Sequence, residues 1–147
     1  MPTHPVTDPT PAPPLRRLLA ALYDLLPLAA LWYLGAALFL LARGGDPVAP
    51  GTPAAWLELA WLIALGFAYF GPSWRHGGRT LGLRAWRLRV VAADGATPSW
   101  PALLLRYLLA WVSLAAAGAG FAWILVDRQR RGWHEIASAT RTVRDDG

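Results

Sequence analysis

The chain has 147 residues, of which 55% are hydrophobic and 16% charged. A soluble domain carries about 25% charged residues; here charge is missing from three long apolar runs and gathered between them, which argues against a soluble enzyme and for a small integral membrane protein. The net charge of +5 comes from Arg alone, with no Lys and no Cys, so thiolate and disulfide chemistry are excluded and the Arg residues flanking apolar runs read as membrane topology rather than nucleic-acid binding.

Residues 1–14 are Pro-rich, lack apolar periodicity, and are expected to be a disordered lead. The apolar run after Arg16 and Arg17 is too long for a secretory signal and contains Asp24, so it is expected to be retained. The first span is about Leu18–Ala42, enough to cross a hydrocarbon core that needs about 20 apolar residues. Pro27 is expected to kink it near its first turns. Arg43-Gly44-Gly45-Asp46-Pro47 ends it.

The second span is about Ala54–Gly71, with Pro53 at its first turn and Gly71-Pro72 as its stop. Trp56 and Trp61 near one end, and Tyr69, Phe70 and Trp74 near the other, suit the headgroup level. Glu58 lies about one turn in, within reach of the interface.

Residues 72–101 form a polar middle. From Arg75 to Arg106 the chain holds six Arg and one acid, Asp94. Leu88-Arg89-Val90-Val91 is β-prone, and Asp94-Gly95 signals a turn, so a short β-hairpin is expected here. Arg75, Arg79, Arg84, Arg87 and Arg89 are candidate lipid-headgroup contacts.

The third apolar run, about 102–126, contains Ala115-Ala116-Ala117-Gly118-Ala119-Gly120. Two readings stay open: a close-packing face on a spanning helix, or a break that turns the chain back as a re-entrant hairpin. The positive-inside rule places the middle segment and the Arg16-Arg17 end in the cytoplasm. A third crossing would export a tail holding Arg128, Arg130, Arg131, Arg141 and Arg144; re-entry would keep it inside.

Three ordered motifs carry a resemblance. Arg17-Leu18-Leu19-Ala20-Ala21-Leu22-Tyr23-Asp24 resembles the opening motif of the RDD family of bacterial membrane proteins. Gly78-Arg79-Thr80-Leu81-Gly82-Leu83-Arg84, then Leu88–Val91, Asp94-Gly95 and Pro98, is similar to the family's central loop. Asp127-Arg128-Gln129-Arg130-Arg131-Gly132-Trp133-His134-Glu135-Ile136-Ala137-Ser138-Ala139-Thr140 resembles its closing motif. The resemblance covers about residues 15–144, leaving 145–147 as a tail. Glu135 stands where the family has its second signature Asp, Arg79 where it has another polar residue, and Ala139 where it usually has Gly. The resemblance implies an integral membrane protein with a role in cation/proton exchange proposed for some members.

Candidate site residues follow. Asp24 is a carboxylate in a membrane helix, expensive unless it faces a partner or a cavity. Arg17 lies seven residues earlier on the same helix face, and Arg106 lies near the start of the third run. Asp24 reads either as a proton or cation site or as a structural ion pair with Arg106 or a middle-loop Arg. Asp127, His134 and Glu135 are closing-motif candidates; with His76 and Asp24, the last two could cluster. No two ligands have a recognised metal spacing, so no metal and no cofactor is expected. Ser138 and His134 can share a helix face, but nothing forms a nucleophile–base–acid arrangement, and no enzyme is expected.

The expected fold is an all-α membrane protein. It has two full transmembrane helices, a third apolar segment that spans or re-enters, and an Arg-rich cytoplasmic loop. The expected location is the bacterial inner membrane, multi-pass, with the N-terminus cytoplasmic. Small-residue faces suggest a homo-oligomer, most simply a dimer. The candidate functions are ion or solute transport, a non-catalytic scaffold or accessory subunit with a membrane-protein partner, and, more remotely, a lipid-modifying enzyme.

Overall fold

The computed structural model describes residues 10–145. Two long helices dominate it. α1 runs Pro14–Ala42 over 29 residues, about 43 Å at the usual helical rise and longer than a hydrocarbon core of about 30 Å. Pro14 opens it, where the missing N–H is harmless. Pro27 sits inside it without ending it. α2 runs Pro53–Arg75 over 23 residues. The Thr52 hydroxyl accepts the Ala55 N–H at 3.3 Å, capping its start. Pro72 does not stop it; the helix continues to Arg75, and His76 N–H donates to the Pro72 carbonyl at 2.8 Å. Both helices are long and apolar enough to cross a membrane.

The pair is joined in its apolar zone by indoles. Trp32 Nε1 donates to the Leu62 carbonyl at 2.9 Å, and Trp61 Nε1 to the Gly35 carbonyl at 3.1 Å. Trp61 therefore serves as a helix–helix contact. Such bonds satisfy indole N–H groups where water is absent.

After α2 come a short helix, α3 (Leu81–Ala85), and a strand, β1 (Leu88–Ala92). The Asp94-Gly95 turn forms: Ala92 N–H donates to Ala96 O at 2.9 Å, and Gly95 N–H to Ala92 O at 2.9 Å. No local hairpin follows, because Pro98 has no N–H to donate and Ala93 N–H goes instead to Ala139 O. The partner of β1 is β2 (Thr140–Arg144), antiparallel, with Leu88 opposite Arg144 and Ala92 opposite Thr140. The expected hairpin is thus corrected to a long-range pair.

The end of the Pro-rich lead joins this sheet. Pro11 bridges Val143, Ala12 N–H donates to Thr142 O at 3.1 Å, and Ala12 is buried. Composition assigns residues 10–14 to a disordered lead, yet they are an ordered edge and the start of α1. Residues 1–9 of that lead, and 146–147 of the tail, lie outside the described residues.

The third apolar run is broken. α4 (Trp100–Ala115) has 16 residues, about 24 Å. α5 (Ala119–Ala122) and a 3₁₀ turn (Trp123–Leu125) follow at 107° to it. Ala117 and Gly118 both take left-handed backbone, φ 54° and 77°, which ends the helix. α6 (Trp133–Ala137) then packs back on α4 and leads to β2. Since β2 pairs with β1 beside the start of α1, the segment starts and ends at the same end of the α1–α2 pair. By length and composition the bent pair fits one broken span or a re-entrant loop.

Candidate functional site

Two buried carboxylates organise the end of the molecule where α1 starts. The first is Asp24, nearly three turns into α1 and 5% exposed. Its Oδ1 accepts from Tyr69 Oη at 2.8 Å and Gly82 N–H at 2.8 Å. Its Oδ2 accepts from Thr80 Oγ1 at 2.5 Å. Thr80 in turn accepts the Leu83 N–H at 3.2 Å, capping α3. Asp24 therefore holds α3 against α1 and α2. Gly82 permits this: a Cβ there would strike the Ala20 carbonyl oxygen and lie 2.9 Å from the Asp24 carboxyl carbon.

The second is Glu135, 1% exposed, in α6. Its Oε2 accepts from Arg17 Nη1 at 2.6 Å and from Gly132 N–H at 3.0 Å. Its Oε1 accepts from Thr142 N–H at 2.8 Å and Thr142 Oγ1 at 2.6 Å, and lies 3.6 Å from Arg106 Nη1. Arg17 also donates to Ala12 O at 3.0 Å and Thr142 O at 2.9 Å. Arg106 donates to Thr140 Oγ1 at 2.8 Å and Thr142 Oγ1 at 2.9 Å, with its guanidinium 5.3 Å from the Trp74 ring centre. Burial opposes ionisation of Glu135, but Arg106, Arg17 and the Thr142 bond outweigh it and hold its pKa at about 2. Burial first, then the charge of Arg106, pushes His134 down to about 3, so this imidazole is neutral. Two guanidinium groups facing one carboxylate leave this cluster one positive charge in excess. Asp24 lies two turns along α1 from Arg17 and has its own set of donors.

The expected pair between Asp24 and Arg106 is not made. Arg106 goes to Glu135, Thr140 and Thr142, while Asp24 takes neutral donors from α2 and α3. The sequence missed Tyr69, Thr80, Thr140, Thr142 and Trp74 as members of the site. Tyr69 and Trp74 were placed at the headgroup level, yet Tyr69 binds Asp24 and Trp74 is 8% exposed beneath Arg106. The alternation Thr140-Arg141-Thr142-Val143-Arg144 is a strand signal that points the two hydroxyls one way.

The other candidates stand apart. Asp127 bonds Arg131 at 3.2 Å and lies outside both clusters. His76 contacts Pro72 O at 3.1 Å and the Trp100 ring, and joins neither. His134 is next to Glu135 in sequence, but its ring packs on Phe121 with centroids 4.9 Å apart. Of the five headgroup candidates, Arg79 and Arg89 face Asp145, and Arg75 donates to Pro98 O at 3.3 Å. Arg84 and Arg87 are exposed. Among the described residues no three His, Cys, Asp or Glu are grouped to hold a metal ion.

The model of the RDD family matches residues 11–139, and the chain belongs to that family. No curated protein and no solved structure matches it.

Proposed function

We propose that this RDD-family membrane protein is a non-catalytic scaffold or accessory subunit of a larger membrane assembly. The observation that carries this reading is the saturation of both acids. Glu135 accepts four hydrogen bonds and faces two guanidinium groups; Asp24 accepts three. A carrier site has to offer carboxylate oxygens to an ion or proton, and here internal donors already occupy them.

The orientation proposed is N-terminus in the cytoplasm of a bacterial inner membrane. Its support is the gathering of the opening Arg residues, the middle loop and β2 at one end of the α1–α2 pair, while the opposite end carries Arg43, Asp46 and Glu58. The small residues at 115–120 and the Ala-rich first helix support a homodimer within such an assembly.

A second reading is cation/proton exchange at Asp24. It is favoured by one fact: this buried acid has neutral donors and no cationic partner among the described residues. The test is flux of the full chain in proteoliposomes under an imposed pH gradient with Na⁺ or K⁺. The scaffold reading expects no coupled flux above empty vesicles, together with co-purification of a discrete membrane partner in mild detergent. Cation-dependent proton flux that disappears in Asp24→Asn would replace it with the second reading.

A further inference from the structure

The link from α5 to α6 is a built turn with an unusual surface. Asp127 Oδ2 accepts from Gln129 N–H at 3.1 Å, Arg131 N–H at 2.9 Å and Arg131 Nε at 3.2 Å. These contacts with Arg131 hold the Asp127 carboxyl below its ordinary pKa, and they consume the one acid and one of the three guanidinium groups of the turn. Arg128 and Arg130 remain exposed, with no side-chain partner among the described residues. Immediately before them Leu125 and Val126 are 76% and 72% exposed. Trp123 and Trp133 flank the turn with ring centroids 6.4 Å apart, both partly exposed.

We infer that this elbow is an interfacial docking site for the headgroup of an anionic phospholipid. The elbow continues a segment apolar enough for the membrane, so its bare Leu and Val are next to acyl chains rather than water. Trp side chains favour the headgroup level. Two uncompensated guanidinium groups at that level complement a phosphodiester, which guanidinium binds in bidentate fashion. In the middle loop Arg75, Arg79 and Arg89 are already engaged within the chain, and Arg84 and Arg87, which are exposed, serve as the control pair.

The test uses the full chain purified in mild detergent, titrated with phosphatidylglycerol and with phosphatidylcholine, and read by native mass spectrometry. The wild type should retain phosphatidylglycerol in preference. Arg128→Gln with Arg130→Gln should weaken that binding roughly 30-fold, at about 1 kcal/mol per basic residue, with unchanged phosphatidylcholine retention and melting. Arg84→Gln with Arg87→Gln should leave it within about twofold. Equal retention of the two lipids by the wild type, a preference that survives the first double variant, or a loss that follows the second would each overturn the proposal.

Discussion

Arg17 and Glu135 are 118 residues apart in sequence and 2.6 Å apart in space. One residue opens the first helix and the other lies in the last. Their bond closes the chain, and it is not isolated: Arg17 also holds Ala12 and Thr142, while Glu135 also faces Arg106. Glu135 accepts the Gly132 N–H at the start of its own helix as well, the acidic half of a capping box. The same carboxylate thus sets the local fold of α6 and its docking on α1.

Glu135→Gln should be among the most damaging single substitutions. It leaves two buried guanidinium groups without their anion, a loss of about 3–5 kcal/mol for a broken buried pair. Melting of the purified variant in detergent should drop sharply. A variant as stable as the wild type would refute the structural role of this cluster.

The two acids should behave as separate units towards Arg106. Asp24→Asn removes a carboxylate with three hydrogen bonds and should cost about 1–3 kcal/mol. Its effect should add to that of Arg106→Gln within about 0.5 kcal/mol, because the two side chains do not meet. Glu135→Gln and Arg106→Gln should be strongly non-additive. Rescue of Asp24→Asn by Arg106→Gln would restore the ion pair that the geometry lacks.

Two glycines should respond differently to Ala. At Gly82 the new methyl group meets the Ala20 carbonyl oxygen and the Asp24 carboxyl, so α3 must lift from α1, at about 3 kcal/mol. At Gly118 nothing lies within 4 Å, and only the left-handed backbone, φ 77°, opposes Ala, at about 1 kcal/mol. Comparable melting losses in the two variants would contradict this.

Acid should weaken the fold in two overlapping stages. The folded pKa of His134 is about 3 against an ordinary 6.5, and that of Glu135 about 2 against 4.5. Both folded values are depressed, so between each pair of values the unfolded chain binds protons that the folded chain does not. The stability from His134 is complete above pH 6.5 and is lost as pH falls towards 3; that from Glu135 is complete above 4.5 and is lost towards 2. The melting temperature should therefore fall between pH 7 and 4. His134→Phe should flatten the upper part of that fall, since Nδ1 has no hydrogen-bond partner among the described residues and the ring packs on Phe121. An unchanged slope in His134→Phe would show that other groups carry the dependence.

Both spans were legible because apolar length is a local property of the chain. Their ends were less so: Pro72 reads as a stop, yet Pro inside a helix loses one bond and can be tolerated near its last turn. The break at Gly118 was visible as one of two readings, and the return of the chain from it to pair β2 with β1 was not. That pairing joins residues 88–92 to 140–144, and turn signals report only neighbours in sequence. The same limit hid the partner of Asp24. Three Arg residues near one bilayer face invited an ion pair, but an acid can equally be satisfied by a hydroxyl pair and a backbone N–H, and no sequence pattern marks Tyr69 for that role. Asp24, Arg17 and Arg106 were identifiable as one set and Glu135 as part of another; that Glu135 is the acid facing both guanidinium groups was not.

The most direct test of the re-entrant fold uses the absence of native Cys. Val91 and Arg141 are opposite one another in the β1–β2 register. Val91→Cys with Arg141→Cys, oxidised in isolated native membranes, should form an intramolecular disulfide in high yield. A control pair, Val91→Cys with Tyr33→Cys, should not. Failure of the first pair to crosslink, together with labelling of positions 91 and 141 from opposite faces by an impermeant maleimide, would contradict the account and make the third apolar segment a full span.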